Sequence, residues 1–384
     1  MYLVSWLSGF TRLFLIIMIT DCKDSITTRT IPAYSRRWRL RTYSIGALAA
    51  AMIFVAILAL TVGSVRLPVS TVWNTLISSS WDVFLSHLPF IGIPWENYST
   101  TDMIIMEIRV PRILMAGIAG AALGVAGATY QGLFRNPLAD PYLIGVAQGA
   151  ALGAVIGFAL SWSFLGAYFI PLLAFGGAVL AVTVVYFISR VGKTLPVTTL
   201  ILAGVAIGAF FVSIMSYITL ISPDKMPGIF SWLMGRFSLS NLDQVMLIAP
   251  YVAAGLIIIC IFSRHLNVMQ LDEEQAQQLG INVERTKLIL LAASTLITAA
   301  AVCFVGTIGF VGIIVPHAVR LVWGPDHRTL LPLTALAGAI LLILADTASR
   351  TLMPPTEIPV GIITAFLGAP FFLFLLRRRK KAVF

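Results

Sequence analysis

Long apolar segments separated by short polar connections make up most of the chain. Because a helix needs about 20 mainly apolar residues to cross a bilayer, most of these segments can span one. Ten are expected, at 43–64, 113–133, 142–160, 169–189, 197–221, 243–263, 288–305, 308–323, 331–348 and 359–376. Segment 308–323 is short and contains Pro316, so it reads as a partial span surrounded by protein. The pattern predicts an all-α, polytopic membrane protein.

Composition supports the same fold class. The chain is 59% hydrophobic and 11% charged, whereas soluble domains carry about 25% charged residues. Continuous apolar runs also exclude an outer-membrane barrel, whose strands alternate apolar and polar residues. Three cysteines and four histidines show no ligand spacing, so no metal site is expected.

The basic residues indicate an orientation rather than a nucleic-acid partner, although the net charge is +10. Ten spans place both ends of the 43–380 region on one side of the membrane. If that side is the cytoplasm, it holds the larger share of Lys and Arg, which agrees with the positive-inside rule. The cytoplasmic set comprises 29–41, Arg135, Arg190, Lys193, Arg264, Arg285, Lys287, Arg320, Arg328 and 377–381, against Arg66, Arg109, Arg112, Lys225, Arg236 and Arg350 outside.

Two domains are expected: an N-terminal extension at 1–42 with a basic cytoplasmic stretch, and a transmembrane domain at 43–380. Residues 1–20 are apolar apart from Arg12 and could be a signal peptide, an extra span or the product of an upstream start codon. A signal peptide is disfavoured because no small-residue cleavage site precedes the basic stretch. The upstream start is slightly favoured over the extra span.

A polar, amphipathic insert interrupts the apolar pattern at 271–287. Asp272 is a suitable helix N-cap, with Gln275 in a position like that of a capping box. Gly280 suits the position after a helix, and a second short helix can begin near Asn282. The insert is either a surface that receives force from a soluble motor or a solvated helical loop, and the pattern weighs these equally.

Arginines at the outer ends of spans run against the positive-inside trend. Arg109 and Arg112 bracket Pro111 before the second span, and Arg350 follows the ninth, close to Asp346. Such arginines could dock an acidic partner, because guanidinium groups pair with carboxylates. They could equally be snorkelling toward the interface.

Other motifs describe packing and connections. Four glycines of the second span, Gly117, Gly120, Gly124 and Gly127, predict a position in the middle of the bundle, because small residues allow close helix approach. The loop that follows contains a fixed turn, in which Arg135 could pair with Asp140. The turn residues are Asn136, Pro137, Asp140 and Pro141.

Nucleotide binding by this chain is not expected. Gly192-Lys193-Thr194 resembles the end of a phosphate-binding loop, but Phe187 stands where that motif requires glycine. A motor would therefore have to be another chain.

Nine stretches, in order along the chain, together resemble a known family: the permease subunits of ABC importers for iron–siderophore complexes, cobalamin and haem (type II, FecCD-like). The resemblance covers about 43–380. The stretches are Arg109-Val-Pro-Arg112, 117–127, 131–145, 202–205, Trp232-Leu-Met-Gly235, 271–280, 309–317, Asp326-His-Arg328 and Glu357-Ile-Pro-Val-Gly361.

The resemblance implies ten transmembrane helices per subunit and a pair of subunits around a central pathway, expected here to be a homodimer. Two cytoplasmic ATPases would dock on coupling helices at about 266–287, and an extracytoplasmic binding protein on Arg109, Arg112 and Arg350. The inner gate would lie at Val197 and Thr198, although Val197 replaces a residue that can be hydroxylic in the family. The residues implied in ATPase coupling are Leu271, Asp272, Glu273, Glu274, Gln275, Ala276, Leu279, Gly280 and Arg285.

The implied function is ATP-driven import of a bulky metal chelate across the cytoplasmic membrane of a prokaryote by alternating access. The chain itself would be no enzyme and would bind no cofactor, with ATP and magnesium on the ATPase; its other contacts would be with lipid. A stand-alone secondary transporter is the alternative, but ion-coupled transporters usually bury carboxylates or histidines along the path, and these are scarce here. A membrane-embedded enzyme would need such residues clustered at one depth, and no cluster is evident in the sequence.

Overall fold

The computed structural model describes residues 34–63, 67–86, 99–160 and 166–380. Within these ranges the chain folds into helices, and the β-structure is one isolated bridge between Val191 and Thr194. The helices are α1 (Tyr34–Thr61), α2 (Val69–Ser86), α3 (Thr100–Leu133, with a π-helical segment at Ile104–Arg109), α4 (Val146–Leu160), α5 (Phe169–Ser189), α6 (Val197–Ile221), α7 (Met226–Leu233), α8 (Leu242–Ile261), α9 (Ser263–Met269), α10 (Glu273–Gln278), α11 (Val283–Val305), α12 (Val311–Trp323), α13 (His327–Thr351) and α14 (Val360–Lys380).

Each of the ten predicted spans coincides with one helix, which confirms the all-α polytopic fold. Seven helices are long and apolar enough to cross a membrane: the 41–61 part of α1, then α3, α5, α6, α8, α11 and α13. Three apolar helices are shorter, at Val146–Leu160, Val311–Trp323 and Val360–Leu373. Beyond the ten, the remaining helices lie in the connections between them.

Helix α3 lies at the centre of the bundle, as its glycines predicted. A Cβ atom at Gly120 would lie 2.1 Å from the carbonyl oxygen of Gly338 on α13, and one at Gly127 would lie 2.0 Å from that of Gly312 on α12. No side chain fits at such separations, so these glycines allow the backbones of neighbouring helices to touch.

Helix α12 is a partial span, as expected. Its 13 residues extend for about 20 Å at 1.5 Å per residue, which is less than the roughly 30 Å of a hydrocarbon core. Val311, Val315 and Val319 are spaced four apart and buried, so one face packs inward. The helix follows Phe310, which adopts a left-handed conformation with φ 69°.

The described part of the connection between the first two spans is mainly helical. Helix α2 lies in it, and Thr75 of α2 donates a 2.5 Å hydrogen bond to Asp102 at the start of α3. The expected domain boundary at 42/43 falls within α1, which begins at Tyr34. The alternatives for residues 1–20 fall outside the described residues.

The contacts of α1 with α13 define two ends of the bundle. At one end, Arg41 pairs with Asp326 at 2.5 Å, and at the other Arg350 donates a 2.9 Å hydrogen bond to the Ala59 carbonyl. The two helices therefore run parallel, as the first and ninth of ten alternating spans should. The end that holds Arg41 and α10 is called the insert end, and the end that holds Arg350 is called the arginine end.

Candidate functional site

The insert at 271–287 folds as the sequence predicts in its first half and differently in its second. Asp272 caps α10 by accepting the Glu273 N–H, and no capping box with Gln275 forms. Gly280 has φ +82°, a conformation that glycine adopts without strain. Asn282 does start a helix, but that helix is the 23-residue α11 rather than a second short one.

The predicted coupling residues divide into an inward and an outward group. Ala276 is completely buried and Glu273 turns toward the bundle, where it meets Lys287. Leu271 and Leu279 are apolar yet 57% and 64% exposed. The outward surface of the insert comprises Leu271, Asp272, Glu274, Gln275, Leu279, Gly280 and Arg285.

Lys287 anchors this insert from within and was not predicted as a site residue. Its side chain is buried, and Nζ lies 2.8 Å from Glu273 and 3.2 Å from Glu284. Nζ also donates a 3.1 Å hydrogen bond to the Leu195 carbonyl, in the loop before α6. The i,i+3 spacing of Glu284 and Lys287 was the available signal, since such pairs face each other on a helix.

Arg135 reaches the insert as well, so the expected local pair with Asp140 is wrong. Its guanidinium group lies 3.2 Å from Asp272 and 3.7 Å from Glu273. The pKa of the Asp272 carboxyl lies below its usual value, because it accepts the Glu273 backbone N–H and a hydrogen bond from Arg135. Asp140 instead accepts the backbone N–H of Tyr142 at 2.8 Å.

The predicted turn at 136–141 holds the end of α3 against the next span. The Asn136 side chain accepts the Leu138 N–H at 3.0 Å, and Pro137 lies between them. Pro141 begins a short 3-10 helix that Asp140 caps. Both residue types suit turns, because proline presets φ and Asn or Asp accepts nearby backbone N–H groups.

The predicted gate residues stand at the first turn of α6, at the insert end. Pro196 is the N-cap, Val197 is the first helical residue and Thr198 is exposed. A cleft of about 560 Å³ separates this turn from the insert, and its walls include both gate residues together with Arg135 and Lys287. The cleft is also lined by Phe134, Thr194, Leu195, Pro196, Glu273 and Glu284.

The structure brings the three predicted arginines together at the arginine end, and all three are buried. Arg109 donates to the Leu60 carbonyl of α1, and Arg350 to that of Ala59. Arg112 pairs with Asp346 at 2.7 Å, and Arg350 lies 3.3 Å from the same carboxylate.

Glu357 completes this arginine cluster from the loop before α14. Its carboxylate lies 2.8 Å from Arg112, and its side chain is 37% exposed, whereas that of Asp346 is fully buried. The sequence left docking and snorkelling open for these arginines, and the fold pairs them with carboxylates and carbonyls of their own chain. A docking role stays a prediction.

Comparison with known proteins assigns the chain to a family, because a model described as the FecCD transport family matches residues 51–378. The chain belongs to the FecCD transport family. Its resemblance to importer permeases, drawn from the sequence motifs, is thereby confirmed.

Relatives of this FecCD chain include transport permeases that are named for different substrates. It is 44% identical to the cobalamin import system permease protein of Halobacterium salinarum over 303 residues, covering 75% of this chain and 81% of that protein. It is 38% identical to the hemin transport system permease protein of Yersinia pestis over 338 residues, covering 86% and 95%. An ABC transporter permease of Bacillus subtilis is 40% identical over 351 residues, covering 90% and 97%.

A solved structure also resembles this FecCD permease along most of its length. It is a metal-chelate type ABC transporter in an inward-facing conformation, with a TM-score of 0.73 and 30% identity, covering 87% of this chain and 98% of that chain. The chain is therefore a multi-pass permease component of an ABC transporter of the inner membrane. Such components carry out transport, and they work together with ATPase and substrate-binding partners.

Proposed function

We propose that this chain is the membrane subunit of an importer that uses ATP to move a bulky metal chelate across the cytoplasmic membrane of a prokaryote. The cargo class is an iron–siderophore complex, cobalamin or haem, in line with the names of its relatives. Transport proceeds by alternating access. The chain binds no cofactor of its own, and ATP with magnesium is held by the ATPase partner.

The observation that carries the proposal is the form of the insert. Helix α10 is a separate six-residue helix. Its inward side is held by Glu273, which pairs with Lys287, and by the buried Ala276. Its other side exposes two leucines beside charged groups such as Glu274 and Arg285. Exposed leucines beside charged groups suit a protein partner better than they suit water alone. Two ATPase subunits, one for each copy of the permease, are the partners proposed here.

Helix α6 supports the pairing of two permease subunits. It begins at the gate residues and contains no Asp, Glu, Lys or Arg. In the single chain, Leu202, Phe210, Tyr217 and Leu220 are 59–74% exposed. A second copy of the chain would cover part of this face, and a bulky chelate suits a pathway between two subunits better than one inside a single bundle.

The arginine end is the proposed dock for an extracytoplasmic binding protein. Carboxylates on that protein would compete for Arg112 with Glu357, the more exposed of its two acidic partners. Asp346, buried between Arg112 and Arg350, would stay in place and keep the guanidinium groups oriented. In this proposal the insert end faces the cytoplasm, together with both ends of the 43–380 region.

Reconstitution with the cognate ATPase and binding protein tests the function. Uptake into proteoliposomes would be measured separately with cobalamin, haemin and a ferric hydroxamate, with ATP present or absent. ATP-dependent uptake of one probe is expected, without any effect of an ionophore. Uptake by the permease alone that collapses with an ionophore would contradict the proposal and support a secondary transporter.

Charge reversal on the insert tests the ATPase contact. Glu274→Lys combined with Arg285→Glu should abolish co-purification of the ATPase, because both groups lie on the outward surface. Asp224→Lys, at an exposed site in the connection after α6, is the control for charge reversal itself. Equal co-purification of both variants would contradict the coupling role of the insert.

A further inference from the structure

We propose that Lys287 and Glu284 form a clamp that carries movement of α10 to the gate at the start of α6. The inference rests on the proposed function, since it takes α10 as the element that the ATPase moves and the predicted residues Val197 and Thr198 as the gate. The two residues are positioning residues for transport and contact no cargo. Their target is the backbone of Leu195, two residues before Val197.

The clamp holds both polar groups of one residue. The Leu195 N–H donates to Glu284 at 2.9 Å, and the Leu195 carbonyl accepts from Lys287 at 3.1 Å. Both side chains project from the first turns of α11, immediately after the insert. Because two hydrogen bonds fix both sides of Leu195, displacement of this part of α11 in either direction must move Leu195 with it.

On the gate side, the loop that contains Leu195 is itself rigid. Val191 and Thr194 exchange two backbone hydrogen bonds, of 3.0 and 3.1 Å. The Ser189 hydroxyl, at the end of α5, lies 2.6 Å from the Val185 carbonyl and 3.2 Å from the Thr199 carbonyl, and the Thr199 hydroxyl lies 3.0 Å from the Ser189 carbonyl. The 189–199 hairpin therefore moves as one body, and it includes the first turn of α6.

On the motor side, the clamp is continuous with α10. Lys287 binds Glu273, the first residue of α10, at 2.8 Å. Arg135 lies on the other side of Glu273 and also binds Asp272. A push on the outward face of α10 therefore reaches Lys287 through one ion pair.

Burial makes this connection stiff. Lys287 is 3% exposed, so its ammonium group is shielded from water where it meets the Leu195 carbonyl, while its two carboxylate partners, Glu273 and Glu284, are 34% and 29% exposed. Charged hydrogen bonds are strengthened where water is excluded. Apolar side chains beside Lys287, such as Leu291, make non-directional contacts that would allow the two elements to slide.

A labelling experiment on the complete permease–ATPase complex in nanodiscs tests the clamp. The three native cysteines are replaced, and Thr198→Cys reports on the gate through its rate of reaction with a membrane-impermeant maleimide. In the reference complex, vanadate trapping with ATP should change this rate by about tenfold, because trapping holds the gate in its other state. With Lys287→Met the rate should differ by less than about twofold between states, because the gate then no longer follows the motor.

Two further variants separate transmission from general damage. Lys193→Met makes the same chemical change at an exposed lysine of the same hairpin and should keep the full response. Lys287→Arg can still donate to carboxylates and to a carbonyl, so it should restore most of the response. In all of these variants, ATP hydrolysis by the complex should continue, because the defect lies after the ATPase.

Glu284→Ala removes the bond to the Leu195 N–H and the 3.2 Å ion pair with Lys287, and it leaves the contacts of Lys287 with Glu273 and the Leu195 carbonyl, so it decides the question if Lys287→Met does not assemble. A full gate response in this variant, or in an assembled Lys287→Met complex, would overturn the clamp while the proposed function stands. Failure of both variants to assemble would also overturn it, by showing a purely structural role. A reference complex without any nucleotide response would overturn both proposals.

Discussion

Asp346 is the carboxylate whose loss the fold should tolerate least. Its side chain is fully buried between two buried cations, with Oδ1 2.7 Å from Arg112 and Oδ2 3.3 Å from Arg350. The informative change is Asp346→Asn, which keeps the size of the side chain and removes its charge. The matched control is Glu357→Gln, because Glu357 pairs with the same Arg112 from a 37% exposed position.

The two variants should differ severalfold in their effect on the free energy of unfolding. Removing one partner from a buried ion pair costs about 3–5 kcal/mol, because the remaining charge is left uncompensated. An exposed pair contributes about 0–1 kcal/mol. For 384 residues the unfolding entropy is about 0.8 kcal/mol/K, so the buried loss corresponds to roughly 4–6 °C in the thermal midpoint. The control should shift the midpoint by about 1 °C or less.

Thermal unfolding of the purified permease in detergent, at one fixed scan rate, measures this difference. A fixed rate matters because membrane proteins commonly unfold irreversibly and the apparent midpoint then depends on the rate. Similar midpoints for Asp346→Asn and the original chain would refute the argument that Asp346 neutralises the arginine cluster. Equal losses in Asp346→Asn and Glu357→Gln would show that burial does not set the energies of these pairs.

Three further changes test other parts of the fold. Gly120→Ala should lower the thermal midpoint because its Cβ would overlap the Gly338 backbone, whereas Gly46→Ala, with open space around it, should not. Hydrogen bonds and Arg41 hold the pKa of Asp326 below 3.8 despite partial burial. The difference in thermal midpoint between the original chain and Asp326→Asn should therefore be constant from neutral pH to about pH 5. It should shrink as the pH falls through this depressed pKa. Arg135→Ala removes exposed ion pairs, so the free energy of unfolding should change by less than about 1 kcal/mol, while co-purification of the ATPase should weaken. A large change in the free energy of unfolding would contradict a role for Arg135 at the surface.

The arginine cluster also shows how one polar group can serve both the fold and a partner. Arg109 and Arg350 bind carbonyls at the end of α1, so they join that helix to α3 and α13. Arg112 meets a partly exposed carboxylate, that of Glu357. Among the three predicted docking residues, Arg112 is therefore the one whose pairing a docking protein could change at the lowest cost in free energy.

Much of the fold could be predicted from the sequence because membrane helices obey strong local rules. A spanning segment must be apolar and must satisfy its own backbone hydrogen bonds, so length and hydropathy locate each helix without knowledge of its neighbours. The glycines of α3 likewise indicated a central helix, since small residues permit backbone contact in lipid. Asp272 and Gly280 marked the ends of α10 by capping chemistry that is also local.

The pairing of charges depended on the tertiary structure, because it joins residues far apart along the chain. Arg135 binds Asp272 rather than the nearby Asp140, and Lys287 binds the Leu195 carbonyl 92 positions away. Hydropathy and spacing carry no information about which loops meet at one end of a bundle. Sequence alone thus determined the spans, the family and the insert, whereas the packing of helices decided which charges are buried, which remain exposed and what connects the insert to the gate.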